Sequence, residues 1–438
     1  MIDIKTGEVI RSFLKKHRIV LSAVLILLSS VFLFVSADKS FQVDSETLVV
    51  DPILMDFNNA EGNLGAFGLG SIDDDGEGYP YPDYPEFLKP GSDINEDNYT
   101  YWKYPSQIGL QGFVFRGIAH VVRTTAIIGI LRFLCCMILV TVLYFIAANS
   151  GRIYGGLFAV AFWFVLLTSP YFINFAPNLY WVEFSWFIPM LLGLLCLKFP
   201  EKRKWMYLLF FLAILVKCMC GYEYLSTIML SGIIFPAAEW VGCKESRRSL
   251  FKCVLFSGLS MLSGFVVAAV THVCIISREF FEGNPVKGLA FFKNNIVSKR
   301  TFGNALLFDE RIKDSLQASV WDVMKIYLWD SAYSKFLLCL ILLSIIMLVF
   351  DRLIFKKDHR THLALVLLQL LSVLSWLILA KSHSFDHRHI NFVLFDLGLT
   401  QTCLYCILNA VSNHICLGIK KEMKQNKASY SLIFHFVK

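Results

Sequence analysis

The chain has 438 residues, 56% of them hydrophobic and 17% charged, with a formal net charge of +7. Soluble globular chains carry about a quarter charged residues, so this balance, with a mean hydropathy of +0.57, excludes an ordinary soluble protein. The positive charge is no nucleic-acid footprint, because basic residues cluster beside long apolar runs, the topology signal of membrane proteins. The expected fold class is an all-α polytopic membrane protein. This length has room for roughly ten transmembrane helices of about 20 residues, a large first extracytoplasmic loop and interfacial helices.

In chain order, Arg11, Lys15, Lys16 and Arg18 precede the apolar run Val20 to Ala37. No small-x-small cleavage site precedes Asp38, so the run reads as an uncleaved first helix with a cytoplasmic N-terminus. Further spans are expected at Thr124–Ala148, Ile153–Thr168, Leu179–Leu197, Trp205–Val216, Leu225–Val241, Val254–Ser277, Phe336–Phe350, Leu363–Ala380 and Phe392–Ile419. Alternation from an inside start assigns Arg152, Glu201–Lys204, Lys244–Arg248, Lys356–Arg360 and Lys420–Lys427 to the cytoplasm. All five are basic, as the positive-inside rule requires. Both termini are then cytoplasmic, and a bacterial inner membrane is the expected location. The chain divides at 1–148, 149–277, 278–335 and 336–438, the third segment being a second outer loop. Most of the 12 cysteines lie within or beside apolar runs and read as small buried hydrophobes.

The first outer loop, Asp38 to Tyr104, is strongly acidic, with only Lys39, Lys89 and Lys103 opposing. Its Gly-, Pro- and Tyr-rich centre, GNLGAFGLGSIDDDGEGYPYPDYP, is expected to be loop. Asp73, Asp75 and Gly76 partly match a calcium loop, but Pro82 stands where a bidentate Glu is needed, which favours a solvated acidic loop. Pro105 and Ser106 then start a helix over Gln107–Arg123 that places Arg116, His120 and Arg123 on one face. It reads as an interfacial amphipathic helix, its basic stripe either anchoring headgroups or gripping phosphate. Arg132 falls inside the next span, where an arginine is a functional candidate. In the second outer loop, Asp309–Asp330 reads as helical, with Ile312, Leu316, Val320, Val323 and Met324 on one face.

Three further outer turns carry charge. Glu183 sits just inside an apolar span, where a carboxylate needs a cation or a wet cavity. Lys217 and Glu223 flank the turn KCMCGYEY, either pairing with each other or facing a site. The turn KSHSFDHRHIN brings His383, Asp386, His387, Arg388 and His389 between two apolar runs, against the charge rule. Local rule-breaking of this kind marks functional sites. Lys and Arg suit phosphate oxygens, and histidines move protons or bind metal. A divalent cation is conceivable at the histidines, but Arg388 in their midst opposes one, and no cofactor is required. Together the turns are expected to converge on one polar cavity that binds an anionic lipid-linked ligand.

This layout resembles the GT-C superfamily of integral-membrane glycosyltransferases, which take sugars from polyprenyl-phosphate carriers. The resemblance rests on the short N-terminus, the first span, the acidic first outer loop and the interfacial helix Gln107–Arg123. It covers about the first two thirds of the chain, by topology more than by motif. It implies a catalytic carboxylate soon after the first span, in VDSETLVVDPILMD, hence Asp44, Glu46, Asp51 or Asp56. It also implies a phosphate grip drawn from Arg116, Arg123, Lys217, Arg388 and the neighbouring histidines. The implied partners are a polyprenyl-phosphate-linked sugar, a glycan or lipid acceptor and the bilayer. The chain departs from the family in lacking an Asp-Asp or Asp-Glu pair after the first span, and YPSQ replaces the His-Pro-Pro-like entry of some members. Alternative readings are a polysaccharide polymerase or ligase, and a lipid-linked glycan flippase or transporter.

Overall fold

A computed structural model describes residues 16–38, 40–41, 43–58, 65–73, 100–242, 246–308 and 310–425. The structure is that of an all-α membrane protein with one small hairpin. Six of the described helices are long and apolar enough to cross a membrane. They are α1 (Arg18–Ser36), α4 (Ile127–Tyr154), α9 (Leu225–Gly242), α10 (Arg247–Phe280), α14 (Ala332–Phe355) and α15 (Arg360–Leu379). Two shorter apolar helices, α5 (Gly156–Thr168) and α7 (Phe184–Lys198), accompany them, with α8 (Arg203–Cys220) and α17 (Leu399–Gln425). Exposed apolar side chains run along α10, among them Leu255, Leu259, Leu262 and Val266, while Ser257, Gly264, Ala268 and His272 face inward. That inversion suits a helix whose solvent is lipid.

Local chemistry sets the breaks between helices. Gly155, at φ +102°, separates α4 from α5. Ser169 caps α6 (Pro170–Phe175), accepting from the Phe172 amide, and Pro170 fills the first helical position. Small residues let helices approach closely: a Cβ on Gly193 of α7 would lie 2.3 Å from the Gly232 carbonyl of α9, and one on Gly264 of α10 would lie 2.4 Å from the Phe211 carbonyl of α8.

Several expected boundaries move. The run Phe392–Ile419 is not one helix: residues Asn391–Asp396 form a 3-10 turn, Gly398 sits at φ +124°, and α17 starts at Leu399. The interfacial helix is α3 (Leu110–Val121), which begins after Gly109 at φ +78°, so Arg123 lies beyond its end. The early acidic stretch folds as α2 (Val43–Phe57). Part of the expected loop pairs as a hairpin, with β1 (Gly70–Asp73) antiparallel to β2 (Thr100–Lys103). Residues 74–99, with most of the calcium-like stretch, lie outside the described residues. In the second outer loop come α11 (Pro285–Phe291), a π-helical turn Phe292–Ser298, α12 (Glu310–Gln317) and α13 (Val320–Lys325). A capping box, in which Ser319 and Asp322 exchange side chain-to-backbone bonds, breaks the expected helix between α12 and α13. The short helix α16 (Lys381–Asp386) then opens the KSHSFDHRHIN turn.

Candidate functional site

A cavity of about 520 Å³ opens where the helix-connecting turns meet. Its wall takes Ser45 and Leu48 from α2, Tyr104 and Ser106 from the segment after β2, and Tyr180 and Trp181 from the turn before α7. The α8–α9 turn gives Glu223, and the second outer loop gives Lys299, Arg300, Ile312 and Ser315. The KSHSFDHRHIN turn gives Ser382, His383, Asp386, His387, His389 and Ile390. Segments more than 300 residues apart in sequence therefore share one polar recess.

The framework around it is made of buried backbone caps. Gln111, on the inner face of α3, donates from Nε2 to the carbonyls of Tyr180 and Cys220, each at 3.0 Å, tying two turns to the interfacial helix. His272 of α10 contacts the Pro105 carbonyl through Nε2 at 3.1 Å and the Tyr222 hydroxyl through Nδ1 at 3.2 Å. Since a carbonyl only accepts, Nε2 carries the hydrogen and Nδ1 accepts from Tyr222. Lys381 is buried, and its Nζ donates to the carbonyls of Leu316 at 2.6 Å and Ala318 at 2.5 Å. An ammonium on the last carbonyls of α12 satisfies groups the helix leaves open and matches its dipole. Ser382 and Ser315 share a hydrogen bond of 2.8 Å, and Tyr327 donates to the Ser384 carbonyl at 2.7 Å. Four polar residues of the turn thus anchor it: Lys381, Ser382, Ser384 and Asn391, the last accepting from the Tyr224 hydroxyl at 2.8 Å.

The histidines do different work. His383 is nine-tenths buried, its ring 4.4 Å from that of His387 and flanked by Trp376 and Tyr224. Burial pushes its pKa well below the usual histidine value, with His387 and Arg300 adding repulsion. Burial lowers the pKa of His387 too, against the pull of Asp386, whose carboxylate lies 3.8 Å away. Both rings are therefore held towards the neutral form at neutral pH, able to accept a proton. Arg388 points elsewhere, into a shallow recess with Asp314, Asp322 and Lys325.

Glu223 pairs with Arg300 at 3.4 Å, not with Lys217. Lys217 is buried and donates to the Gly221 carbonyl at 2.8 Å, closing the C-terminus of α8. Arg300 also donates to the Ile296 carbonyl at 3.1 Å, across the π-helical turn. The wider π spiral rotates the residues after it relative to an α-helical continuation, and Lys299 and Arg300 are the residues it delivers to the cavity. Sequence reading passed over this pair because the loop's charges nearly balance. The available signal was a dibasic step on the expected outer side. Gly221 sits tightly here: an added Cβ would lie 2.3 Å from Gln107 Oε1 and 2.4 Å from Glu223 Oε2.

Three of the early carboxylates, Glu46, Asp51 and Asp56, do not line the cavity. Glu46 is buried and takes both the Nε (3.0 Å) and a terminal nitrogen of Arg132, plus the Leu179 amide at 3.0 Å. Arg132 is thus explained as a structural partner of α2. Asp51 is buried and accepts from the Ile72 amide at 3.1 Å. Burial raises its pKa to about 7, and that amide partly opposes the shift. Asp56 pairs with Arg116 at 3.5 Å and lies 3.8 Å from His120, so two of the expected phosphate-gripping residues hold α2 onto α3. The side chain of Asp44, next to the cavity-lining Ser45, lies outside the described residues. Glu183 is buried and neither carboxylate oxygen meets a donor; it stands behind the wall, within electrostatic reach of Asp396. Among the described residues, no group of three or more His, Cys, Asp and Glu side chains forms a metal-holding cluster.

No protein-family model matches this chain, and neither the curated proteins nor the solved structures compared with it give a match.

Proposed function

We propose that the chain is an integral-membrane glycosyltransferase that moves a sugar from a polyprenyl-phosphate donor to a glycan or lipid-linked acceptor. In this reading it has about ten membrane passages, both termini face the cytoplasm of a bacterium, and the cavity opens on the opposite side of the inner membrane. The observation that carries the reading is the meeting of two cations, three imidazoles and two carboxylates in one cavity. They come from three segments far apart in sequence: the α8–α9 turn, the second outer loop and the KSHSFDHRHIN turn. Lys299 and Arg300 supply charge for a phosphate, with Glu223 fixing the guanidinium. Exposed Phe302, Leu306 and Leu307 follow directly in sequence and offer an apolar surface for a prenyl tail.

The chemistry balances without a cofactor. The acceptor hydroxyl loses its proton to neutral His387, and Asp386 stabilises the imidazolium that results. The acceptor oxygen bonds to the anomeric carbon as that carbon's bond to the phosphate oxygen breaks, and the electron pair leaves on the phosphate beside Arg300.

The test is incubation of the purified protein with labelled polyprenyl-phosphate sugars. Transfer to an acceptor that falls about 100-fold in Lys299→Ala, an exposed side chain whose loss leaves the Glu223–Arg300 pair in place, with unchanged thermal unfolding, supports the reading. Lipid translocation without transfer replaces the enzyme with a flippase.

A further inference from the structure

The opposite end of the bundle carries a second built feature, independent of the cavity. The connection between α14 and α15 forms an open recess of about 360 Å³ whose described lining residues are all charged: Arg352, Lys356, Lys357, Asp358 and Arg360. Four cations face one carboxylate, and that carboxylate is already engaged. Asp358 accepts from the Arg360 amide at 3.1 Å and from its guanidinium Nε at 3.0 Å. Lys357 donates to Asn413 of α17 at 2.7 Å. Arg352, which adds only longer-range attraction to Asp358, and Lys356, four residues on across the end of α14, make no hydrogen bond or ion pair among the described residues. Their placement is also unfavourable in isolation. The first turn of α15 holds no acidic side chain and its N-cap residue His359 makes no capping bond, so cations crowd the positive end of a helix dipole. An anion seated in the recess would meet that dipole and the cations together.

The surroundings specify which anion. Directly beside the recess, Phe350, Leu353 and Ile354 are 47%, 73% and 50% exposed on the last turns of α14. A free anion has no use for that apolar strip, whereas a lipid places its phosphate in a basic recess and its acyl chains along such a strip. The general excess of basic residues at one end of membrane helices accounts for the sign of this segment. It does not account for four cations gathered round one recess with, among the described residues, one committed counter-ion.

We propose that the α14–α15 hairpin is a binding site for the headgroup phosphate of an anionic lipid, held by Arg352 and Lys356, with the acyl chains against Phe350, Leu353 and Ile354.

The test uses the full chain in nanodiscs of phosphatidylcholine alone or mixed with phosphatidylglycerol, with retained lipid counted by native mass spectrometry. The wild-type protein should retain phosphatidylglycerol preferentially. The double variant Arg352→Gln/Lys356→Gln should lose about tenfold of that preference, and the charge-preserving Arg352→Lys/Lys356→Arg should keep most of it. Both residues are exposed, so unchanged thermal unfolding in phosphatidylcholine is the control for folding. Equal preference in wild type and the Gln variant overturns the proposal. So does displacement of the lipid by inorganic phosphate at matched concentration, which would identify a free-anion site.

Discussion

Glu46 and Glu223 are both buried carboxylates with an arginine partner, yet they sit in regions of different design. Around Glu46, both oxygens are engaged: Arg132 bonds each of them and the Leu179 amide adds a third contact, although the pair also borders a smaller recess of about 200 Å³. Around Glu223, a single 3.4 Å contact to Arg300 leaves the pair on the wall of a cavity, beside Lys299 and the histidine turn. A saturated carboxylate fastens helices, whereas an undersaturated one facing an open recess is poised for a ligand. Proximity to the first span, the feature that singled out Glu46 in the sequence, does not distinguish these two situations. The count of donors does.

The sharpest way to break this comparison is to remove the partner from the saturated side. Arg132→Ala leaves Glu46 buried without its cation and should cost about 3–5 kcal/mol of stability, read as a large drop in the thermal unfolding midpoint. Glu46→Gln in that background should recover part of it. A midpoint unchanged by Arg132→Ala would mean that α2 is held by something else. On the cavity side, Lys381→Met removes a charged donor from the end of α12. A loss of about 1.5–3 kcal/mol is expected, confined to local opening: hydrogen exchange should accelerate in 310–318 and not in α10.

Gly221→Ala tests the crowding around Glu223. The added methyl meets Gln107 and Glu223 oxygens within 2.4 Å, so about 1–3 kcal/mol of destabilisation is expected, with the proposed sugar transfer falling more than stability. Unaltered turnover would separate this turn from the site.

The last test concerns protons. Burial raises the pKa of Asp51 from 3.8 to about 7, so the folded state holds a proton that the unfolded state releases. The stability from that proton is present below pH 3.8 and is lost as pH rises towards 7. His383 has the opposite sign. Its depressed pKa means that the folded state favours the neutral ring, so stability is lost as pH falls below the ordinary value of 6.5. Asp51→Asn should remove the fall in stability between pH 3.8 and about 7 and leave the slope above pH 7 unchanged, as followed by unfolding at a series of pH values.

Much of the fold was legible because lipid imposes it. An apolar run must satisfy its own backbone, so α1, α9 and α15 fall within a few residues of their expected limits. The boundary errors lie where one residue overrides composition, as Gly398 does before α17 and Gly109 before α3. In the site, KSHSFDHRHIN was visible as an excess of titratable groups. Its division of labour was not, because Lys381 and Arg388 look alike until α12 supplies carbonyls to one and not to the other.

By itself the sequence determined that this is a helical membrane protein with charged turns, since hydropathy and local breakers act over a few residues. Only the tertiary structure decided which charges are fasteners and which line the cavity. That distinction depends on donors and acceptors brought from distant segments, such as Leu179 to Glu46 and Arg300 to Glu223. Whether a buried charge is spent or available depends on everything within hydrogen-bonding reach of it, and that neighbourhood exists only once the chain has folded.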